Sequence, residues 1–321
     1  MHACKGDFNV YITPIHSLKT QFHGNRFFVK REDLLPISFG GNKARKAALF
    51  FSDIEFQGND CVVTYGSSRS NHCRVVANMA ASRQLPCYVV SPSECNIPTN
   101  NSRILKLLKT KVILTKLPDV SDTIDRILDR LRAEGLNPYF IEGGGHGNLG
   151  TQAYVNCYEE IVMQEKALGV YFDYIFLPSG TGTTQAGLAC GKLINGDGRK
   201  IVGISIARTN PRGCQVVFDS IMDYVQSHKL DISDLGSVSF VDDYVQDGYG
   251  SCNREILDVI HTTFVQDGIP LDITYTGKAF WGMQKYLQKH GIRGKNILFI
   301  HTGGTPLFFD DLGELVNDME C

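Results

Sequence analysis

Short apolar segments alternate with longer amphipathic segments along most of the chain, and this alternation restricts the fold more than any other feature. Segments 61–65, 87–90, 112–114 and 138–141 have the length and composition of buried strands. The segments between them have helical length and pattern. Strands that alternate with helices at this spacing form parallel βαβ units with right-handed crossovers. The sequence therefore predicts an α/β fold built on open, mainly parallel sheets.

Lys43 lies where a tight turn meets a helix. Two glycines, Gly40 and Gly41, give the backbone freedom to turn, and Asn42 opens an alanine-rich helical run over about 45–56. Partial burial and the positive end of the helix both lower the pKa of an ammonium group there. A lysine so placed can attack an aldehyde and form a Schiff base. On this stretch alone, a surface loop with solvated basic residues is an equal alternative.

A second glycine-rich loop follows the predicted strand 174–179 and precedes a helix of small residues. Backbone N–H groups at such a helix start, with hydroxyl groups beside them, form an anion site suited to a phosphate. The spacing matches neither a P-loop nor a dinucleotide fingerprint, and a plain tight turn is the alternative. A Schiff-base lysine together with a non-nucleotide phosphate site predicts pyridoxal 5'-phosphate as the cofactor. The loop residues are Ser179, Gly180, Thr181, Gly182, Thr183 and Thr184.

The bulk composition narrows the class of protein. The 321 residues carry a net charge of −2 with mixed signs, which argues against nucleic acid or an anionic membrane as a partner. The first residues lack the apolar core of a signal peptide, and no apolar run of about 18 residues is present. The ten cysteines and nine histidines show no metal-ligand spacing, so we expect reduced thiols and no metal. These features predict a soluble, cytoplasmic protein.

Several separated motifs together resemble the family of 1-aminocyclopropane-1-carboxylate (ACC) deaminase and D-cysteine desulfhydrase. These are pyridoxal-phosphate enzymes of the tryptophan-synthase-β fold type, known as fold type II. The resemblance implies two sheets flanked by helices, with a small α/β domain, 52–158, inserted into a large cofactor-binding domain, 1–51 and 159–321. The matching motifs are KRED at 30–33, GGNKARK at 40–46, SNH at 70–72, SGTGTTQAG at 179–187, YTGK at 275–278 and HTGG at 301–304.

The resemblance also implies roles for individual residues. Lys43 would hold the cofactor aldehyde and move the α-proton, while Lys46 and the 180–184 loop would bind the phosphate. Asn71 would bond the ring hydroxyl, and Ser70 would lie near the substrate carboxylate as an acid/base candidate. The amino-acid substrate would contact Ser70, Asn71, His72, Tyr249 and Tyr275, and the two tyrosines match the family's active-site pair.

Each of these polar residues also has a purely structural interpretation. Ser70 and Asn71 fit the cap of the helix that follows them. Tyr249 and Tyr275 fit packing aromatics with a solvated hydroxyl. A physical argument supports the functional interpretation. A substrate carboxylate needs N–H and hydroxyl donors, and the start of a helix supplies them. A tyrosine hydroxyl can polarise a leaving group or tune a lysine pKa.

Two positions bear on the substrate. Thr276 stands where ACC deaminases carry a glutamate that faces the pyridine nitrogen, and Thr302 stands where they carry leucine. A neutral hydroxyl sustains the pyridine proton less well than a carboxylate does, so the ring is a weaker electron sink. Expulsion of a good leaving group from Cβ does not require a strong electron sink. Together with His72, which resembles the desulfhydrases, these residues predict β-elimination from D-cysteine to pyruvate, ammonia and hydrogen sulfide.

The alternatives are ACC deamination, β-replacement as in cysteine synthases, and an idle sensor that binds pyridoxal phosphate or amino acids. Three departures from the family pattern leave the exact substrate open: Arg69, Val75, and the 143–148 loop with His146. Arg69 either favours a substrate with a second acidic group or points into solvent. The resemblance to the family implies that the protein forms a homodimer.

Overall fold

The computed structural model describes residues 11–231 and 237–317. Both ends of the predicted large domain, residues 1–10 and 318–321, and part of the polar stretch after residue 231 lie outside the described residues. Within the described ranges, none of the helices combines the length and apolar character needed to cross a membrane.

The strands form two sheets, and the predicted fold class is confirmed. The larger sheet has the order β1-β2-β10-β7-β8-β9, and the smaller has the order β5-β4-β3-β6. All neighbouring pairs are parallel except β1 and β2. The strands are β1 (Ile15–Phe22), β2 (Asn25–Lys30), β3 (Cys61–Tyr65), β4 (Cys87–Pro92), β5 (Lys111–Thr115), β6 (Pro138–Ile141), β7 (Tyr174–Ser179), β8 (Lys200–Ser205), β9 (Ser239–Val241) and β10 (Asn296–Ile300).

Helices cover both faces of each sheet, as parallel strands require. They are α1 (Asn42–Gln57), α2 (Asn71–Ser82), α3 (Asn100–Leu107), α4 (Val120–Ala133), α5 (Asn148–Leu168), α6 (Thr183–Ile194), α7 (Arg212–Ser227), α8 (Arg254–Asp267), α9 (Lys278–Lys289) and α10 (Thr305–Asn317). A single π-helical turn, Ile273–Gly277, leads directly into α9.

Close packing of α5 on α6 explains the small residues in the helix after the second glycine loop. A Cβ atom on Gly187 would lie 2.4 Å from Cβ of Tyr154, and one on Gly191 would lie 2.4 Å from Cβ of Tyr158. Both tyrosines are fully buried. The two glycines therefore let α6 approach α5 closely enough to hold the loop at its N-terminus in a fixed place.

The strands of the smaller sheet all lie within 61–141, inside the segment 52–158 that the sequence suggests as a separate domain. Both proposed boundaries fall within continuous helices, the first in α1 and the second in α5. Helix α1 packs its apolar face, including Phe51 and Ile54, on the small-sheet core. The division into domains stays a prediction.

Helix α10 and several short or edge elements were not predicted from the sequence. Strand β1 has apolar residues only at Ile15, Leu18 and Phe22, buries only Leu18, and shifts register against β2 between Ser17 and Gln21. Strand β9 has only three residues at the edge of the larger sheet. The π-helical turn has no sequence signature of its own. The buried central strands were recognisable, whereas short or edge strands carry too little apolar pattern.

Candidate active site

A cavity of about 410 Å³ opens where the carboxyl ends of strands from both sheets meet. Open α/β sheets place their ligands at this edge. Most of the predicted site residues lie in its wall, namely Lys43, Ser70, Asn71, His72, Ser179, Gly180, Thr181, Gly182, Thr184, Tyr249, Tyr275 and Thr302. Lys46, Thr183 and Thr276 are not in the wall.

Contact between two glycine-containing segments fixes the start of α1. Gly41 is the N-cap, with φ of 96°, and a Cβ atom there would lie 2.6 Å from the carbonyl oxygen of Thr302. The backbone N–H of Asn42 donates to that same oxygen at 3.0 Å. Asn42 begins the helix, as predicted, but it does not cap it. Its side chain donates instead to the hydroxyl of Thr184 at 3.0 Å and so ties the helix start to the second glycine loop.

Lys43 projects from the first turn of α1 into the cavity. Its ammonium group donates to the carbonyl oxygen of Gly144 at 3.1 Å. Burial lowers the pKa of Lys43 to about 8. At pH 7 roughly a tenth of this amine is then neutral, compared with less than a thousandth for an ordinary lysine. Lys43 therefore presents a partly neutral amine to the cavity, and its role as the nucleophile stays a prediction.

Lys46 lies one turn further along α1 and is fully buried. Its ammonium group donates to the hydroxyl of Thr183 at 2.6 Å and to the carbonyl of Gly144 at 3.4 Å. Burial and the neighbouring charge of Lys43 hold the pKa of Lys46 well below its usual range. A buried cation with only neutral partners is costly, and a phosphate dianion would relieve that cost.

The loop before α6 completes an anion site. Gly182 is the N-cap with φ of 98°, and no side chain caps the first N–H groups of the helix. These donors and the positive helix end lie beside the ammonium group of Lys46, which contacts Thr183 directly behind the cavity wall. The residues thus fit the phosphate of pyridoxal phosphate.

Ser70, Asn71 and His72 start helix α2. The hydroxyl of Ser70 accepts the backbone N–H of Cys73 at 3.2 Å, so the capping interpretation is confirmed even though Ser70 also lines the cavity. The Asn71 side-chain oxygen accepts from Arg74 at 2.6 Å and from Asn101 at 3.1 Å. These bonds leave the Asn71 amide N–H₂ as a donor towards the cavity.

The ring of His72 lines the cavity and hydrogen-bonds to a residue of β3. Its Nε2 atom lies 2.8 Å from the hydroxyl of Thr64, which itself donates to the carbonyl oxygen of Ile141 at 2.7 Å. The Thr64 oxygen therefore accepts from Nε2–H. Burial, followed by the charges of Lys43 and Lys46, holds the pKa of His72 well below its usual value, so the ring is neutral.

The hydroxyl groups of Tyr249 and Tyr275 hydrogen-bond to each other at the cavity. Asp272 caps the π-helical turn by accepting the backbone N–H of Tyr275 at 2.9 Å. Burial raises the pKa of both tyrosines, so both remain protonated near neutral pH. The paired hydroxyls can exchange a proton between them or donate one to a ligand.

The two threonines that bear on the substrate occupy different places. Thr302 lies in the cavity wall. Thr276 is fully buried, donates its hydroxyl to Asp272 at 2.7 Å and accepts the backbone N–H of Asp272 at 2.9 Å. Burial raises the pKa of Asp272 to about 6. The assignment of Thr276 to the cofactor ring stays a prediction, and its hydroxyl proton is directed to Asp272.

Neither proposed role of Arg69 describes its position. Its guanidinium donates to the hydroxyl of Thr274 and to the carboxylate of Asp311, both at 3.1 Å, and it does not line the cavity. His146 contacts Ser220 and Glu142, outside the wall. Sequence analysis missed Arg208 and Tyr65, which both line the cavity. Each follows or ends a parallel strand, and that position is the signal that identifies such residues.

Comparisons with known proteins agree with this geometry. The family model for pyridoxal-phosphate dependent enzymes matches residues 7–303. A D-cysteine desulfhydrase of Serratia proteamaculans is 34% identical over 92% of each chain, and one of Yersinia pestis is 32% identical over the same shares. The crystal structure of an ACC deaminase homologue, 29% identical, superposes with a TM-score of 0.87 over 96% of this chain and 94% of that chain.

A more distant structure, a threonine deaminase of Solanum lycopersicum, is 18% identical with a TM-score of 0.66 over 96% of this chain and 83% of that chain, and it supports the fold alone. The full-length matches explain why a lysine, a phosphate site and a tyrosine pair converge on one cavity. The chain belongs to the pyridoxal-phosphate dependent enzymes, and within them to the family of D-cysteine desulfhydrases and ACC deaminases.

Proposed function

We propose that the protein catalyses β-elimination from D-cysteine, giving pyruvate, ammonia and hydrogen sulfide. The observation that carries this proposal is the amine of Lys43, with its pKa near 8, in a cavity whose described wall contains no carboxylate. The relatives named D-cysteine desulfhydrase support the choice of substrate.

Three residues fit the cofactor in complementary ways. Pyridoxal phosphate, when bound, supplies an aldehyde for amines and a ring that withdraws electrons from the substrate Cα. Lys43 would hold the aldehyde, and Lys46 with the start of α6 would neutralise the phosphate. The free amide N–H₂ of Asn71 would donate to the ring hydroxyl. Each role uses a donor that the protein itself leaves unpaired or poorly paired.

The same wall can bind and deprotonate an amino acid. The hydroxyl of Ser70 and the backbone N–H groups that open α2 provide donors for the substrate carboxylate. The neutral amine of Lys43 can take the proton from Cα, because its lowered pKa leaves a usable fraction unprotonated near pH 7. The hydroxyl pair of Tyr249 and Tyr275 can deliver a proton to the departing sulfur.

The wall favours elimination over cyclopropane opening. Ring opening needs a strong electron sink, which a carboxylate beside the pyridine nitrogen sustains. Thr302 contributes only a neutral hydroxyl to the cavity, and Thr276 lies behind the wall. Thiolate is a good leaving group and needs less delocalisation at Cα. ACC deamination remains the second candidate because of the solved homologue.

Product analysis of the purified holoenzyme tests the proposal. D-Cysteine should yield pyruvate and sulfide in equal amounts, L-cysteine should react more slowly, and ACC should give no 2-oxobutanoate. A kcat/KM for ACC equal to or above that for D-cysteine would assign the protein to deamination instead. Assembly as a homodimer and a cytoplasmic location are further proposals from family resemblance, and light scattering of the purified protein tests the first.

A further inference from the structure

Arg208 is a cation of the cavity that the proposed chemistry does not use. It lies in the segment after β8, and its Nη1 group donates to the carbonyl oxygen of Gly180. A guanidinium carries five N–H donors, and no carboxylate pairs with this one among the described residues. In the described wall, Lys43 and Arg208 are the basic residues other than neutral His72.

The surroundings of Arg208 increase its need for an anion. Burial, and then repulsion from Arg212 on α7, lower the pKa of Arg208. Tyr65 also lines the cavity, and the charges of Glu142 and of Arg208 both act on its hydroxyl. The ring of Tyr65 lies against Gly143, where a Cβ atom would lie 2.7 Å from the ring. Lys46 and His146 add no negative charge. Arg208 therefore has one neutral carbonyl acceptor for its five N–H donors and no carboxylate partner among the described residues, and the hydroxyl of Tyr65 lines the same cavity.

The cofactor phosphate already has partners of its own. Lys46, the hydroxyl of Thr183 and the uncapped start of α6 provide donors for it without Arg208. An anion on the substrate is the remaining group that would use Arg208. In an elimination, the proton leaves Cα for the Lys43 amine, and the Cβ–X bond breaks with its electron pair departing on X. A guanidinium near X stabilises that departing charge.

We propose that Arg208, assisted by the hydroxyl of Tyr65, binds the β-substituent of the substrate when that substituent is an anion or leaves as one. This inference rests on the proposed β-elimination. It defines the substrate class as amino acids whose Cβ carries a thiolate-forming or negatively charged group, and it makes Arg208 the residue that separates this class from neutral isosteres.

An isosteric pair that differs only in charge tests the inference without turnover. D-Aspartate and D-asparagine have the same shape, and calorimetry gives the dissociation constant of each with the holoenzyme. Arg208→Gln should raise the dissociation constant of D-aspartate by roughly 10- to 100-fold, the value of a charge-assisted hydrogen bond. The same variant should change the dissociation constant of D-asparagine by less than about twofold. Arg208→Lys should restore part of the difference. Arg132→Gln, which removes an exposed charge on α4, should leave the ratio unchanged.

Measurements of turnover and of cofactor affinity provide two further tests of the inference. With D-serine O-sulfate and O-acetyl-D-serine, Arg208→Gln should lower kcat/KM for the sulfate ester selectively. Equal losses of kcat/KM on both esters would overturn the inference. So would an equal increase in the dissociation constants of D-aspartate and D-asparagine. A higher dissociation constant for pyridoxal phosphate with an unchanged ratio would assign Arg208 to the cofactor phosphate. Failure to release pyruvate from D-cysteine and from both esters would remove the proposed function, while the ratio of the two dissociation constants still reports on Arg208.

Discussion

The ammonium groups of Lys43 and Lys46 donate to one shared acceptor, the carbonyl oxygen of Gly144, at 3.1 and 3.4 Å. The two residues are three positions apart on α1, so they project from the same face of the helix. No carboxylate neutralises either group among the described residues. Gly144 lies beyond the end of β6, so this shared contact also ties α1 to the loop of the smaller sheet.

Replacing Lys43 by alanine should abolish turnover while the fold is retained. The variant loses both the amine that holds the cofactor and the base for the α-proton, and the missing proton transfer alone accounts for roughly 10²- to 10⁴-fold in rate. Pyruvate release and the absorbance of bound cofactor measure the effect. Lys106→Ala, at an exposed position in α3, is the matched control. Full activity of the Lys43 variant would remove the proposed mechanism.

Replacing Lys46 by methionine should have opposite effects on the two forms of the protein. The cofactor-free protein should become more stable, because a buried cation without an acidic partner is removed. The affinity for pyridoxal phosphate should fall by roughly 10- to 100-fold, because a charge-assisted bond to phosphate is lost. Urea unfolding of the cofactor-free form and titration with cofactor separate the two effects. A parallel loss of both would mean that Lys46 acts only through packing.

The cofactor-free protein should gain stability as the pH rises from about 8 to about 10. The pKa of Lys43 is lowered to about 8 in the folded state, whereas an unfolded lysine titrates near 10.4. Between these values the unfolded chain binds more protons, so the free energy of unfolding increases with pH. The difference between the wild type and Lys43→Met, measured by urea unfolding at several pH values, isolates this contribution. If the difference in the free energy of unfolding does not change with pH, the Lys43 amine is exposed to water in the folded protein.

Gly41 and Gly147 offer a matched pair for the geometry of the lysine. Both are helix N-caps with nearly equal backbone angles, φ of 96° and 99°. A Cβ atom on Gly41 would meet Thr302 at 2.6 Å, whereas one on Gly147 would have no neighbour within 4 Å. Backbone strain cancels between the two alanine variants. Gly41→Ala should therefore be less stable than Gly147→Ala by about 1–3 kcal/mol and should lose more activity. Equal stabilities would show that the two segments do not touch.

Replacing Thr276 by glutamate should destabilise the protein and should not create ACC deaminase activity. The hydroxyl of Thr276 both donates to Asp272 and accepts from it, so a second carboxylate there would repel a buried acid. Loss of the paired bonds alone should cost about 1–3 kcal/mol, which Thr276→Val measures without added charge. If a stable Thr276→Glu variant releases 2-oxobutanoate from ACC, residue 276 faces the cofactor ring and the prediction is contradicted.

Sequence reasoning located the lysine and the phosphate loop because backbone constraints carried the information. Gly41 and Gly182 have positive φ angles that favour glycine, and both stand directly before a helix that opens the site. Buried strands such as β3 and β7 were visible as continuous apolar runs. These are the properties that a single sequence displays directly.

Side-chain direction was beyond the sequence. Thr276 turns towards Asp272 because it lies in a π-helical turn, and Arg69 turns towards Asp311 because α10 packs there. The first outcome depends on a local turn that has no sequence signature, and the second depends on a helix more than 200 residues away in the chain. Arg208 was missed because the loop after β8 has no glycine motif to mark it, although its position at a strand end is informative.

Strand β10 lies between β2 and β7, yet it follows both of them in the chain by more than a hundred residues. Until β10 is inserted, the two halves of the larger sheet share no hydrogen-bonded edge. The smaller sheet, by contrast, uses consecutive segments and can assemble during synthesis, as local topologies do. On the ribosome, the newborn polypeptide therefore carries Lys43 long before the strand that leads to Thr302 has been translated, and the cavity around the Lys43 amine can close only after β10 has been synthesised.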